Sequence, residues 1–371
     1  MAGQTVTREG VTGTLRSLLD SPEITALTAE LEALRWTGRK GYSVRSLVGA
    51  CLVKSLYAIP TWSRTAALIA EHRALQDALG DVPSVYALYR FATKLRAHKP
   101  LVDACLDRVT ASLRAELPEY GIDVAIDASD LPAYANGQRF LSKNGPERER
   151  YSDPDASWGH RSAVSTRKGG GFYGFKIHAA VCAQTDLPVA WRVETARAHE
   201  SSLADDLLQR VRERVKPETA TLDKGYDVQP VYDACERAEC LPIIPLRKTP
   251  AVKKGQHKPP TCEHGEWRFA GADYARKRTK WRCPTGDCAP FSKWIKASRL
   301  HPLVPRESKR WGELYRGRGS VERAFGRLKN EYGLKPLRVR GLERVALHAD
   351  LCILATLAAA LARARAVPLA A

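Results

Sequence analysis

The chain reads as an α/β protein: a mixed-sheet core carrying a basic insertion and preceded by an all-α N-terminal domain. Three observations predict it. Helix-start signals crowd the first 120 residues, β-type runs alternate with helical stretches from Gly121 onward, and a block of positive charge breaks that alternation between 246 and 316. With 371 residues and 44% hydrophobic content, the chain can bury one large core or two to three modest ones, which excludes wholesale disorder.

Within 1–120, Ser21-Pro22 opens a helix over 23–34, Ser43 precedes one over 44–57, Thr61 follows Pro60, and Ser84 follows Pro83. A Ser or Thr hydroxyl at these positions accepts an amide of the first turn that has no intrahelical partner. The last two helices, expected over 85–95 and 101–113, carry Arg90, Lys94, Arg96 and Lys99. Such a face suits either a helix-turn-helix-like DNA reader or the solvated side of a bundle, and dimer contacts are a further use for this domain.

From Gly121 the period changes. An apolar run over 122–126 ends in Asp127, and two β-type runs, 172–182 and 187–193, flank a Thr185-Asp186 turn. A helix over 201–215, a strand over 219–222 ending at Asp223, a helix over 229–238 and a strand over 241–245 follow. The order βββαβαβ calls for a mixed sheet with helices on its faces, making 121–371 one unit interrupted at 246–316. Beyond the interruption, a helix over 320–332 places Val321, Phe325 and Leu328 on one stripe, and a last helix runs from 342 to about 366.

Lys and Arg outnumber Asp and Glu by 59 to 41, a formal charge of +18 with a pI near 9.6, which points to a polyanionic partner and first to nucleic acid. The segment 246–316 alone holds 18 Lys or Arg against 6 Asp or Glu, interleaved with Trp267, Phe269, Tyr274, Trp281, Phe291, Trp294 and Trp311. Basic residues neutralise phosphates and aromatic faces stack on bases, although the same aromatics can form the core of a small β subdomain; both uses are expected in part. Cys262, His264, Cys283 and Cys288 in this segment are ligand types for structural zinc, with spacings C-x-H and C-x4-C that depart from two-residue knuckles. The remaining cysteines, among them Cys51, Cys105, Cys182 and Cys352, sit in apolar stretches and read as reduced core thiols. MAGQTVTREG lacks a basic segment followed by an apolar one, so a cytoplasmic, nucleoid-associated protein is expected. The most apolar stretch, 351–361, lies between Asp350 and Arg363 and reads as a buried terminal helix too short to span a bilayer.

Cleavage of a phosphodiester by two metal ions needs carboxylates converging on one point, because hard divalent cations take oxygen ligands. Asp127 and Asp223 stand at expected strand ends, and Glu322 lies in the helix after the insertion. Asp130 is a rival for the first position; Asp127 is preferred because it ends the apolar run. Around Glu322, Tyr315, Arg318 and Lys329 fall at helical intervals, so one face would combine a carboxylate, two cations and a phenol. An exposed helix with an ordinary Arg-Glu pair is the competing reading. Lys176 and His178 alternate with apolar neighbours and point together from the second strand, toward the carboxylates or away from them.

With these residues in place, the sequence resembles the Asp-Asp-Glu (DDE) transposases of bacterial insertion sequences that carry a Tyr-x2-Arg-x3-Glu-x6-Lys signature, matched at every spacing by Tyr315, Arg318, Glu322 and Lys329. The resemblance extends to the segments 82–91, 125–131 (AIDASDL), 173–178 (YGFKIH) and 222–227 (LDKGYD). It implies a ribonuclease H-like core with an insertion before the glutamate helix. It also implies two Mg²⁺ ions, replaceable by Mn²⁺, on Asp127, Asp223 and Glu322, and contacts from Tyr315, Arg318 and Lys329 to transposon-end phosphates. The implied partners are double-stranded transposon ends and target DNA, held by a homodimer. A ribonuclease H-type nuclease without strand transfer, or an inactive copy that only binds DNA, are the alternatives.

Overall fold

The structure, a computed structural model, describes residues 10–34, 41–161 and 168–366; residues 1–9, where the targeting expectation rests, lie outside them. Among the described residues seven helices come first: α1 (Val11–Asp20), α2 (Pro22–Ala33), α3 (Val44–Leu56), α4 (Trp62–Glu71), α5 (Arg73–Leu79), α6 (Val85–Ala97) and α7 (Lys99–Glu116). Ser43, Thr61 and Ser84 each accept the amide three residues on. Ser21 does not; its hydroxyl donates to the Leu18 carbonyl at 2.7 Å, closing α1, and Pro22 begins α2. Helices α1 and α5 went unpredicted because Gly10 and His72, which precede them, provide no side-chain cap.

The sheet is built from β1 (Asp123–Pro132), β2 (Ser157–Arg161), β3 (Gly170–Cys182) and β4 (Pro188–Thr195), then β5 (Thr219–Leu222) and β6 (Leu241–Ile243), with α8 (Glu200–Arg214) before β5 and α9 (Gln229–Arg237) between β5 and β6. It is mixed: β3 pairs antiparallel with β1 on one side and with β4 and β2 in succession on the other, while β1, β5 and β6 are parallel. The expected order gains one strand, β2, whose SWGHR sequence has no apolar alternation and which lies at an edge with Trp158 half exposed. A second correction concerns β1, which does not stop at Asp127. Its parallel ladder with β5 ends at Ile126–Leu222, whereas its antiparallel ladder with β3 continues to Pro132–Gly174. Asp127 is therefore mid-strand, just past the end of its neighbour β5, with its side chain 17% exposed.

The insertion forms α10 (Pro250–Lys253), a hairpin of β7 (Thr261–Cys262) and β8 (Gly265–Glu266), and a three-stranded sheet of β9 (Arg268–Asp273), β10 (Arg278–Arg282) and β11 (Ser292–Lys296). Its aromatics divide as anticipated: Trp267 and Trp281 are buried, whereas Phe269, Tyr274, Phe291 and Trp294 are exposed. The chain then forms α11 (Lys309–Arg316), α12 (Gly319–Asn330) and α13 (Leu342–Ala366), and Val321, Phe325 and Leu328 are all buried.

One hydrophobic core runs from α1 through the sheet to α13. By length and composition α13 could cross a bilayer, which corrects the shorter span expected from 351–361; 83% of its apolar window is nevertheless buried inside the molecule, as the core of a folded chain requires. Within it, Asp350 accepts from Lys99 Nζ at 3.0 Å and from Trp191 Nε1 at 2.8 Å, pinning α7 and β4 to one carboxylate. Two residues earlier in α13, His348 Nε2 faces the Gly333 carbonyl at 3.1 Å and Nδ1 faces Lys54 Nζ at 3.4 Å. A neutral ring with its proton on Nε2 satisfies both partners, a tautomer assigned from these bonds. Burial, reinforced by Lys54, pushes the His348 imidazolium down to about 3, and burial likewise takes His178 to about 4. The unfolded chain then binds more protons than the native one below the ordinary value, near 6.5, and stability falls as pH drops through that window toward these lowered values. We expect denaturant titrations at pH 7 and pH 5 to differ by about 2 kcal/mol for each such histidine, and the slope to be shallower in His348→Gln.

Candidate active site

Three elements bring the predicted carboxylates together. Asp127 projects from β1 where β5 has ended; Asp223 is the first residue beyond β5; Glu322 stands in the first turn of α12. Asp223 Oδ1 accepts the Gly225 amide at 2.6 Å and so caps the single 3₁₀ turn Lys224–Tyr226. Arg318 links the other two: its Nη2 lies 2.5 Å from Asp127 Oδ2 and its Nη1 lies 2.7 Å from Glu322 Oε1. One guanidinium thus bridges a mid-strand aspartate and a helical glutamate from separate parts of the chain.

The position of Glu322 follows from how α12 is clamped. Arg323 makes a bidentate pair with Asp186 in the β3–β4 turn, at 2.8 and 2.7 Å, and Lys329 donates to Ser129 Oγ on β1 at 2.7 Å. Asp186 holds φ +57°, a left-handed conformation that Asp adopts more readily than most residues. Helix α12 is therefore tied to the sheet at both ends, leaving the Glu322 side chain 65% exposed.

Burial raises the Asp127 carboxyl to about 6; Arg318 and the Ala128 amide oppose the rise, while Asp223 and Glu200 add to it. Asp130, the rival, is engaged elsewhere: Arg161 is 3.5 Å away, and Lys329 and Lys335 are 4.0 Å away. It is Asp127, not Asp130, that shares Arg318 with Glu322.

Tyr315 and Arg318 do not share one helix with Glu322, contrary to the expected single face. Helix α11 ends at Arg316, and Gly317 and Arg318 form the turn into α12. A Cβ on Gly317 would lie 3.0 Å from the Leu314 carbonyl and 3.2 Å from Ala183, so a glycine suits this tight junction. Both turn residues keep right-handed backbone angles, so the spacing still delivers the four side chains to one region. Tyr315 stacks on Trp311 at 4.8 Å, and burial raises its phenol, with Asp223, Asp127 and Glu322 adding to the rise.

Lys176 and His178 point to the opposite side from Asp127. The register sets them across from Asp130 and Ala128, and Lys176 pairs with Glu200 at the start of α8, at 2.7 Å. His178 is fully buried with neither ring nitrogen hydrogen-bonded. Two residues near the carboxylates went unnamed in the sequence reading. Tyr226 is fully buried, its hydroxyl has no partner, and its phenol is pushed well up by burial and by Asp127, Glu200 and Asp223. Glu200 is the fourth acid of the neighbourhood. Tyr226 lay within LDKGYD, already singled out, whereas Glu200 carried no signal beyond an acid in a helix's first turn.

The other predicted ligand set, Cys262, His264, Cys283 and Cys288, converges in the insertion, with all four ligand atoms within 4.8 Å of one another. A cavity of about 430 Å³ lies between α6 and the start of α13, where Arg96, Arg338, Arg340 and Arg344 alternate with Tyr89 and Tyr134.

Comparison with known proteins gives one family: the description Transposase DDE domain matches residues 121–358. No curated protein matches the chain. Among solved structures, a piggyBac transposase synaptic complex with hairpin DNA, determined by cryo-electron microscopy, aligns over 95% of this chain and 74% of its own, with 12% identity and a TM-score of 0.44.

Proposed function

Because the chain belongs to the Transposase DDE domain family, we propose that it cuts DNA at transposon ends and joins the freed 3′-hydroxyl to target DNA, with Asp127, Asp223 and Glu322 as its metal ligands. The observation that carries the reading is the shared guanidinium. Asp127 and Glu322 already hold one cation in common, so their oxygens face a common point, and Asp223 follows the strand adjacent to Asp127. Such a donor set, all carboxylate oxygen, fits hard divalent ions, with two Mg²⁺ as the proposed occupants. When bound, these ions supply activation of the attacking oxygen and stabilisation of the leaving one.

The chain's own residues then have distinct tasks. Arg318 bridges Asp127 and Glu322 and would be free to turn to a DNA phosphate were the two carboxylates to hold their ions. Tyr315 presents its phenol from the end of α11, and Lys329 exchanges its bond to Ser129 for a phosphate oxygen. Tyr226 is buried near enough to Asp127 and Asp223 for their charges to raise its phenol. The exposed aromatic and basic face of the insertion and the arginine-lined cavity supply further phosphate contacts. The ribonuclease H-like core, the bacterial insertion-sequence type and the pairing of two ends by a homodimer belong to the same proposal.

The test uses purified full-length protein, Mg²⁺ and duplexes made from the DNA flanking its reading frame. Cleavage at an inverted-repeat boundary and, from pre-cleaved ends, a joined product are expected. Cleavage without joining would reduce the activity to that of a nuclease. Binding with no cleavage under any divalent ion would leave only a DNA-binding relic.

A further inference from the structure

We propose that Cys262, His264, Cys283 and Cys288 bind one zinc ion that locks the basic insertion into its fold. The separations match the edges of a tetrahedron drawn around such an ion. With Zn–S near 2.3 Å and Zn–N near 2.0 Å, two sulfurs stand about 3.8 Å apart and a sulfur and a nitrogen about 3.5 Å apart. Here Cys262 Sγ and Cys283 Sγ are 3.8 Å apart, and His264 Nδ1 is 3.4 Å from Cys288 Sγ, 3.7 Å from Cys283 Sγ and 4.0 Å from Cys262 Sγ. No two of these sulfurs are joined in a disulfide.

The chain delivers the ligands in pairs from two loops. Cys262 ends β7 and His264 occupies the turn into β8, where Gly265 adopts φ +110° to reverse the strand. Cys283 follows β10, and Cys288 lies five residues on, past Gly286 at φ +88°. The unusual C-x-H and C-x4-C spacings are thereby reconciled with a closed four-ligand site: a tight hairpin supplies one pair and a wider loop the other.

The subdomain also needs such a clamp. Its buried cluster is Trp267, Trp281 and Cys283, with Cys262, Cys288 and Ile295 packed against it. Three of those six residues are proposed ligands, so an apolar core separate from the cluster scarcely exists. A core of this size does not hold such a segment by itself, and metal binding commonly supplies the missing folding energy. The proposal is independent of the transposase reading, since the cluster shares no residue with the carboxylates.

The experiment measures metal in full-length protein purified without chelator. About one zinc per chain is expected, as one four-ligand site requires. Asp223→Asn should retain it, and Cys283→Ser and Cys288→Ser should lose it. Since serine variants can unfold locally, wild-type protein is also loaded with Co²⁺, where thiolate ligation gives an intense charge-transfer absorption that carboxylates do not. Chelation of the wild type should open the insertion to protease while the sheet and α13 stay protected. Zinc kept by Cys283→Ser but lost from Asp223→Asn, absence of the cobalt–thiolate band, or a Cys262–Cys283 disulfide in freshly purified protein would each overturn the proposal.

Discussion

Asp223→Asn and Glu322→Gln should each abolish end cleavage while leaving the protein folded. A carboxylate that holds a catalytic ion contributes several kcal/mol of charge stabilisation, and about 4 kcal/mol corresponds to a rate loss near 10³. Structure gives no route for an equal loss of stability. The Glu322 side chain is 65% exposed, and its bond to Arg318 is an exposed i,i+4 pair of the kind that contributes about 0.5 kcal/mol or less. Asp223 accepts one amide, which the oxygen of asparagine also accepts. The informative readout is therefore a split: cleavage of labelled ends falls about a thousandfold, whereas the unfolding midpoint stays nearly constant. Glu322→Gln protein that cleaves within tenfold of wild type would remove Glu322 from the site.

Gly174→Ala should be among the most damaging single substitutions in the sheet. Gly174 pairs with Pro132 where β3 passes β1, and a Cβ there would lie 2.3 Å from the Leu131 carbonyl oxygen, 2.7 Å from the Ala133 nitrogen and 2.9 Å from the Pro132 Cα. Those atoms are backbone, and the strands must separate to admit a methyl group. A loss of about 3 kcal/mol or more is expected, at the high end of point substitutions. Gly326→Ala supplies the contrast, because nothing lies within 4 Å of its added Cβ and the residue is inside α12, where alanine is favoured by up to about 1 kcal/mol. Denaturant unfolding of the two variants should shift in opposite directions; a neutral Gly174→Ala would mean that β1 and β3 run less closely than described.

What could be read in the sequence followed the strength of local signals. Ser43, Thr61 and Ser84 marked helices that formed where expected, because a capping hydroxyl acts within one turn. The apolar runs of β3 and β4 were legible for the same reason, while β2, an edge strand with an exposed tryptophan, had no periodicity to find. The three proposed carboxylates were legible as residue types at suggestive positions. Their geometry was not, since the opening beside Asp127 depends on where β5 stops pairing with β1, a property of another strand. Likewise Tyr226 and Glu200 gain meaning only from burial and proximity that no spacing encodes. The side on which Lys176 and His178 lie was fixed by the β1–β3 register, a long-range pairing.

Asp350 joins Lys99 of the N-terminal helices to Trp191 of the sheet from inside α13. A helix shared in this way works as a keel: the described leading helices and the sheet pack on it through one continuous core. The distance between any surface they present and the bond to be broken is then set by side-chain packing and not by the reach of a tether. A substrate engaged at both places would be measured against a fixed gauge, and variants that loosen α13 would blur where the cut falls before they abolish cutting.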